Sequence, residues 1–246
     1  QWRDILDNMH ELVHIKATGG ETTLSKGFLE FIDTAIERDC AKNIILEFHS
    51  NCTKFTSQLM NKLNHFRRLH INASVDSIYK NYDYVRYPMT WDRLDHSIEN
   101  YLNKINLPGA INFNPVITAL NAHSLPDLYQ YQINLANKYK HRDIEWVMWA
   151  DLLWPDDKYI NIRFLPPHIK QELIELYTEM KLQSDLGIEC NIDNIISFLK
   201  QYLQLEITEQ HRVNMLREVT AFDKSRDQCY NDYLHPSIIK FLEAPL

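Results

Sequence analysis

Two rhythms of apolar and polar positions alternate along the first two thirds of the chain. Short runs of strand character occur at residues 12–17, 43–48, 69–75, 110–117 and 144–149. Each is rich in Val, Ile, Leu or Phe and short enough for a buried strand. Between them lie stretches with apolar residues at helical spacing. Phe28, Leu29, Ile32 and Ile36 form one stripe, after Ser25 as a capping residue. Leu59, Met60, Leu63 and Phe66 form a second, and Leu94, Ile98, Tyr101, Leu102 and Ile105 a third. A further helix is expected from Ser124 through Ala136, whereas the tyrosine-rich segment before Trp91 reads as irregular. Strand–helix alternation of this kind predicts an α/β fold with a parallel sheet or barrel and helices outside it.

The rhythm changes after Pro166. Residues 168–186, 192–202 and 208–222 carry long helical patterns with no convincing strand between them. Two parts are expected: a strand–helix core at residues 1–165 and a helical C-terminal extension at 166–246.

Composition narrows the function classes. A formal charge of -7 opposes general attraction to nucleic acid or anionic lipid. Arg67, Arg68 and His70 are too small a basic cluster to reverse this. No apolar run approaches the roughly 18 residues of a membrane span. Neither an initiator Met nor a targeting segment opens the chain. A cytoplasmic protein, read from inside a longer open reading frame, is the expectation. The four cysteines, Cys40, Cys52, Cys190 and Cys229, have no CxxC pair, and a disulfide framework is not expected. Glycine is scarce, at 5 residues, yet Gly19 and Gly20 are adjacent. Adjacent glycines permit positive φ and close backbone approach to a ligand.

In parallel α/β folds, ligands collect where strands deliver their C-terminal ends. Those ends carry Thr18-Gly19-Gly20-Glu21, then Ser50-Asn51-Cys52, then Ser74-Val75-Asp76-Ser77, then Asn114-Pro115, then Leu153-Trp154. Tyr84-Val85-Arg86 follows the third. The ordered set resembles the radical S-adenosylmethionine superfamily, whose second strand ends in Gly-Gly-Glu-Pro. In that superfamily the next strands end in Thr-Asn-Gly and Ser-x-Asp-Gly, before a Tyr-x-Arg segment. The resemblance covers about residues 10 to 165. Thr22 stands where the proline is usual, and Cys52 where the glycine is usual.

The resemblance implies a partial (β/α)6 barrel of TIM type with its first strand upstream of residue 1. It also implies binding of S-adenosyl-L-methionine. Gly19, Gly20 and Glu21 would receive the methionyl amino group, and Arg86 its carboxylate. Ser74 and Asp76 would lie by the methionyl or ribose part, Asn51 would order the rim, and backbone at Leu153 and Trp154 would read adenine. In the family, a [4Fe-4S] cluster held by CxxxCxxC reduces the cofactor to a 5′-deoxyadenosyl radical that abstracts hydrogen from substrate. This chain has no such motif, so the cluster ligands are expected upstream of residue 1. A peptide or small-molecule substrate is implied, with an electron donor such as flavodoxin or ferredoxin. The helical extension suits the group that carries twitch or SPASM-like extensions, although Cys190 and Cys229 make an auxiliary cluster doubtful.

Plainer roles exist for the same residues. Gly19-Gly20 can serve a tight turn, Arg86 a surface ion pair, and Ser74 and Asp76 caps. Cys52 suits a small buried site, and Trp146, Trp149 and Trp154 suit packing. The histidines His49, His65, His70, His123 and His168 share no metal-ligand spacing, so no metal site is assigned. Without upstream cysteines, the chain would be a degenerate, non-catalytic barrel that binds S-adenosylmethionine or recognises a partner.

Overall fold

A computed structural model describes residues 2–153, 158–182 and 188–244. Its strands are β1 (His14–Ala17), β2 (Ile45–Ser50), β3 (Arg68–Ala73), β4 (Gly109–Phe113), β5 (Val116–Ile117), β6 (Ile144–Met148), β7 (Asp151–Leu152) and β8 (Glu189–Cys190). Its α-helices are α1 (Trp2–Asp7), α2 (Lys26–Glu37), α3 (Ser57–Leu63), α4 (Tyr79–Val85), α5 (Trp91–Lys104), α6 (Leu125–Lys138), α7 (Pro167–Leu182), α8 (Ile192–Gln201), α9 (Glu209–Arg226) and α10 (Pro236–Leu242). The fold is α/β: helices alternate with strands that pair in parallel, which agrees with the expected partial barrel.

The chain divides into two units. The first comprises Gln1–Ser74, Asp92–Phe113 and Leu135–Val147, and the second Val75–Trp91, Asn114–Asn134 and Met148–Leu246.

In the first unit the sheet runs β1-β2-β3-β4-β6. β1 pairs with β2, β2 with β3 and β3 with β4, all in parallel. Leu46, Phe48, Leu69, Ile71, Ile111 and Phe113 alternate along these strands and are buried. The helical stripe of α2 is rotated from its expected position. Phe28, Phe31, Ile32 and Ala35 are buried, while Leu29 and Ile36 are half-buried. Phe28 packs on Phe48 with ring centroids 5.3 Å apart, and Phe31 on Phe66 at 6.4 Å. Each such side chain contributes roughly 1.5–3 kcal/mol of burial. Ser25 and Thr56 cap α2 and α3 through their side-chain oxygens, each cap typically worth about 1 kcal/mol. Gly109 opens β4 where a Cβ would lie 1.9 Å from the Leu69 carbonyl oxygen, so only glycine fits that pairing.

The structure differs from the sequence expectation in three places. The strand expected at 110–117 is two strands, β4 and β5, broken at Asn114-Pro115. Proline has no N–H for a ladder and restricts the residue before it. Beyond the break, β5 pairs in parallel with β7 instead. The tyrosine-rich segment contains α4, in which Tyr82 and Tyr84 are buried and the Tyr84 hydroxyl donates to Asp223 Oδ1 at 2.8 Å. The short β8 lies between α7 and α8, where no strand was expected. The last long helix, α9, runs on to Arg226. None of the described helices is long and apolar enough to cross a membrane.

Candidate functional site

The C-terminal ends of β1 and β2 are joined through one carboxylate. Glu21 Oε2 accepts the Asn51 N–H at 2.7 Å, and Oε1 accepts the Ser50 hydroxyl at 2.8 Å. Oε1 also accepts the Thr23 N–H and hydroxyl, at 3.2 and 2.5 Å. Ser50 Oγ accepts the Cys52 N–H at 2.9 Å, and Asn51 Oδ1 accepts the Thr53 N–H and hydroxyl. Cys52 takes this turn at φ 59, a conformation glycine adopts without penalty. Its side chain is buried, as expected for a small apolar residue. Ser74 closes the rim on the next strand, its N–H donating to the Ser50 carbonyl at 2.9 Å.

Beside this network Gly19 has φ +144, and a Cβ at Gly19 or Gly20 would meet nothing within 4 Å. Both glycines line a cavity of about 800 Å³ with Lys16, Thr18, Glu21 and Ser25. The structure thus brings Gly19, Gly20, Glu21 and Asn51 together on one rim, with Ser74 tied to Ser50. Glu21 itself is engaged by protein donors and holds the rim in shape.

Asp76, Arg86 and Leu153 belong to the second unit. Arg86 Nε stands 2.5 Å from Asp76 Oδ2, so these two expected cofactor contacts are partners of each other. Asp76 Oδ1 also accepts the Val116 N–H at 2.8 Å. Its carbonyl accepts the Asn121 side chain at 2.8 Å. The backbone of Leu153 is engaged on both sides: its N–H donates to the Ile117 carbonyl, and its carbonyl accepts from Asn161. Trp154 lies outside the described residues. Of the other tryptophans weighed for packing, Trp146 is buried and Trp149 exposed.

A second polar surface lies on the sheet itself, in the strand bodies that read as simply apolar. In-register pairing sets Lys16 beside Glu47 and Glu47 beside His70. One row on, His49 is beside Asn72 and Asn72 beside Asn112. Glu47 Oε1 lies 2.7 Å from Lys16 Nζ and accepts Asn72 Nδ2 at 2.9 Å, and Oε2 lies 3.1 Å from His14 Nε2. Asn112 donates onward to Asn72 at 3.0 Å. Burial raises the Glu47 pKa, but hydrogen bonds from Lys16 and Asn72 outweigh it and leave the carboxyl below its usual range. Burial lowers His49 and His70, which favours neutral imidazoles on this face. The period-2 alternation of His14/Lys16, Glu47/His49 and His70/Asn72 was the available sequence signal.

The structure also brings together histidines that show no spacing in sequence. His14, Glu47 and His70 form one group, and His123, Glu172 and His235 another. In each, one donor atom per residue lies within 4.8 Å of the others.

No family model matches the sequence, and no curated protein matches it. Among solved structures, the chain is similar to Streptococcus suis SuiB. One SuiB structure is bound to S-adenosylmethionine, at 12% identity and TM-score 0.48, covering 76% of this chain and 39% of that one. Another is of SuiB alone, at 13% identity and TM-score 0.49, covering 76% and 40%. A third is bound to the precursor peptide SuiA, at 14% identity and TM-score 0.47, covering 94% and 47%. The chain spans less than half the length of the SuiB chains it matches.

Proposed function

We propose that this chain is the S-adenosylmethionine-binding part of a radical S-adenosylmethionine enzyme acting on a peptide or small molecule. The observation that supports this reading most is the joining of Gly19-Gly20-Glu21 to Ser50-Asn51 at the ends of neighbouring parallel strands. Motifs that are separate and short in sequence there become one rim.

The residues present fit an aminoacyl group. Open space at Gly19 and Gly20 would let an ammonium approach the backbone there. The Arg86 guanidinium would pair a carboxylate by charge-assisted hydrogen bonds, with Asp76 holding it in place until then. Ser74 and Asn51, on the same rim as the glycines, would border the remainder. Bound S-adenosylmethionine would supply an adenosyl group for radical hydrogen abstraction. The polar face of Lys16, Glu47, His49, His70 and Asn72 would offer a substrate neutral and charged hydrogen-bond partners.

A [4Fe-4S] cluster does not fit this chain's own residues. Its four cysteines include no CxxxCxxC, and none of the groups of potential metal-binding residues among the described residues contains a cysteine. The cluster thiolates would come from a segment outside this sequence, and an electron donor would serve that cluster.

Calorimetric titration of S-adenosylmethionine into the chain tests the binding part. Arg86→Gln should weaken binding tenfold or more, the scale of one lost charge-assisted contact. Absence of binding by the unaltered chain overturns it. The enzyme part is tested separately, by anaerobic iron–sulfur reconstitution of the full-length protein. Iron incorporation with release of 5′-deoxyadenosine is expected, and a colourless, inactive protein would sink that part.

A further inference from the structure

The second unit contains a buried histidine whose ring lacks the hydrogen bonds that burial demands. His123 sits in the 3-10 turn Ala122–Ser124, with its side chain 6% exposed. Neither ring nitrogen has a hydrogen-bond partner among the described residues. Buried polar atoms are ordinarily paired, and an orphan calls for an explanation such as an ion. Nε2 instead faces Glu172 Oε1 on α7 at 3.4 Å. The ring of His235 lies against that of His123, with centroids 3.9 Å apart and planes 8° from parallel.

We propose that His123, His235 and Glu172 form a binding site for a divalent transition metal of the zinc class. Two imidazoles and a carboxylate are the donor set of zinc sites that keep an open coordination position. One donor separation already has the length that a shared ion requires. Two bonds of about 2.1 Å meeting at the tetrahedral angle put their donors about 3.4 Å apart, which is the separation of His123 Nε2 and Glu172 Oε1. In its neutral form the His123 ring offers one nitrogen lone pair to an ion. A cleft of about 290 Å³ opens beside the pair, lined also by Tyr79, Ser124, Asp127 and Tyr233, and would admit a fourth ligand.

The surrounding structure fixes the two loops that carry the histidines. Asn81 Nδ2 donates to the Leu120 carbonyl at 2.8 Å, just before His123. The same amide donates to the Tyr233 carbonyl at 3.2 Å, just before His235. The Tyr177 hydroxyl donates to the Ala122 carbonyl at 2.8 Å and so ties α7, which carries Glu172, to the same turn. These contacts hold the backbone that carries the three side chains.

One adjustment accompanies binding. His235 Nδ1 accepts the Ser237 N–H at 3.3 Å as the cap of α10. A neutral imidazole that accepts at Nδ1 carries its proton on Nε2. Ligation through Nε2 moves that proton to Nδ1, releases the cap and tilts the ring out of the stack, since an ion lies near the plane of each imidazole it binds. The other cluster lacks this vacancy, because Lys16 already supplies a cation to Glu47.

Titration of Zn²⁺ into the reduced, tag-free chain, followed by calorimetry and metal analysis after dialysis, tests the site. One zinc ion per chain is expected. His123→Asn, His235→Phe and Glu172→Gln should each weaken binding at least tenfold, while His14→Ala leaves it unchanged. Circular dichroism of the metal-free variants checks folding. If His123→Asn fails to fold, His235→Phe, which keeps a stacked ring, and Glu172→Gln, on a partly exposed helix face, carry the test. Absence of zinc binding overturns the site. So does binding that persists in these variants and disappears with His14→Ala or with alkylated cysteines.

Discussion

The two histidine–glutamate clusters have the same side chains and opposite electrostatics. Around Glu47, on adjacent strands of one sheet, the carboxylate is met by Lys16, His14 and Asn72. Around Glu172 no lysine or arginine lies within ion-pairing distance among the described residues. Its oxygens meet the His123 ring and the Ser237 hydroxyl. The first cluster is complete by itself, and the second lacks one positive charge. Residue identity is therefore a poor guide to a metal site unless the resident cations are counted as well.

The widest gap between the clusters should appear in pH dependence. A histidine whose pKa is lowered by folding is protonated first in the unfolded chain. The stability due to a neutral His123 is whole above about pH 6.5 and is lost as pH falls toward 4. That loss is of the order of 3 kcal/mol at pH 4. Urea unfolding from pH 7 to 4 should show a steeper decline for the unaltered chain than for His123→Gln, and equal slopes would contradict the assignment. Glu47 acts in a different window. Its lowered pKa gives stability that is present above the ordinary carboxylate range and lost only as pH falls below it.

A smaller effect is expected from Lys16→Met, which makes the first cluster resemble the second. Lys16 is about half exposed, so losing the ion pair should cost less than about 1 kcal/mol. The Glu47 pKa should rise, as an NMR titration of its side chain would report. No rise would mean that Asn72 and His14 alone hold the charge. Smallest of all is His235→Ala without metal. It removes a long N-cap hydrogen bond at α10, and thermal unfolding should register about 0.5 kcal/mol. A loss several times larger would show that ring stacking on His123, not the cap, is what His235 contributes.

Legibility in the sequence followed the range of the interactions. Strands β1, β2, β3 and β6 and helices α2, α3 and α5 were readable because apolar periodicity is local. The break at Asn114-Pro115 was marked by its proline, yet apolar residues on both sides masked the change of partner from β3 to β7. Helix α4 was hidden because tyrosines are as much at home in strands as in helices, and only burial of Tyr82 and Tyr84 settles it. At the site, Gly19, Gly20, Glu21 and Asn51 were legible as strand ends. The pairing of Arg86 with Asp76 was not, since it depends on how the chain turns after β3. The Glu47 face left its trace as polar residues two apart. His123, Glu172 and His235 left none, being on three elements far apart in the chain.

Among the described residues Asn81 makes no hydrogen bond to either histidine, yet one carboxamide gauges both of their loops. The separation of the two rings is thereby decoupled from the long stretch of chain between them. Insertions or deletions in that stretch could accumulate over evolutionary time with the spacing preserved. A change at Asn81 alone would let the two loops drift apart while leaving every ligand in the sequence intact.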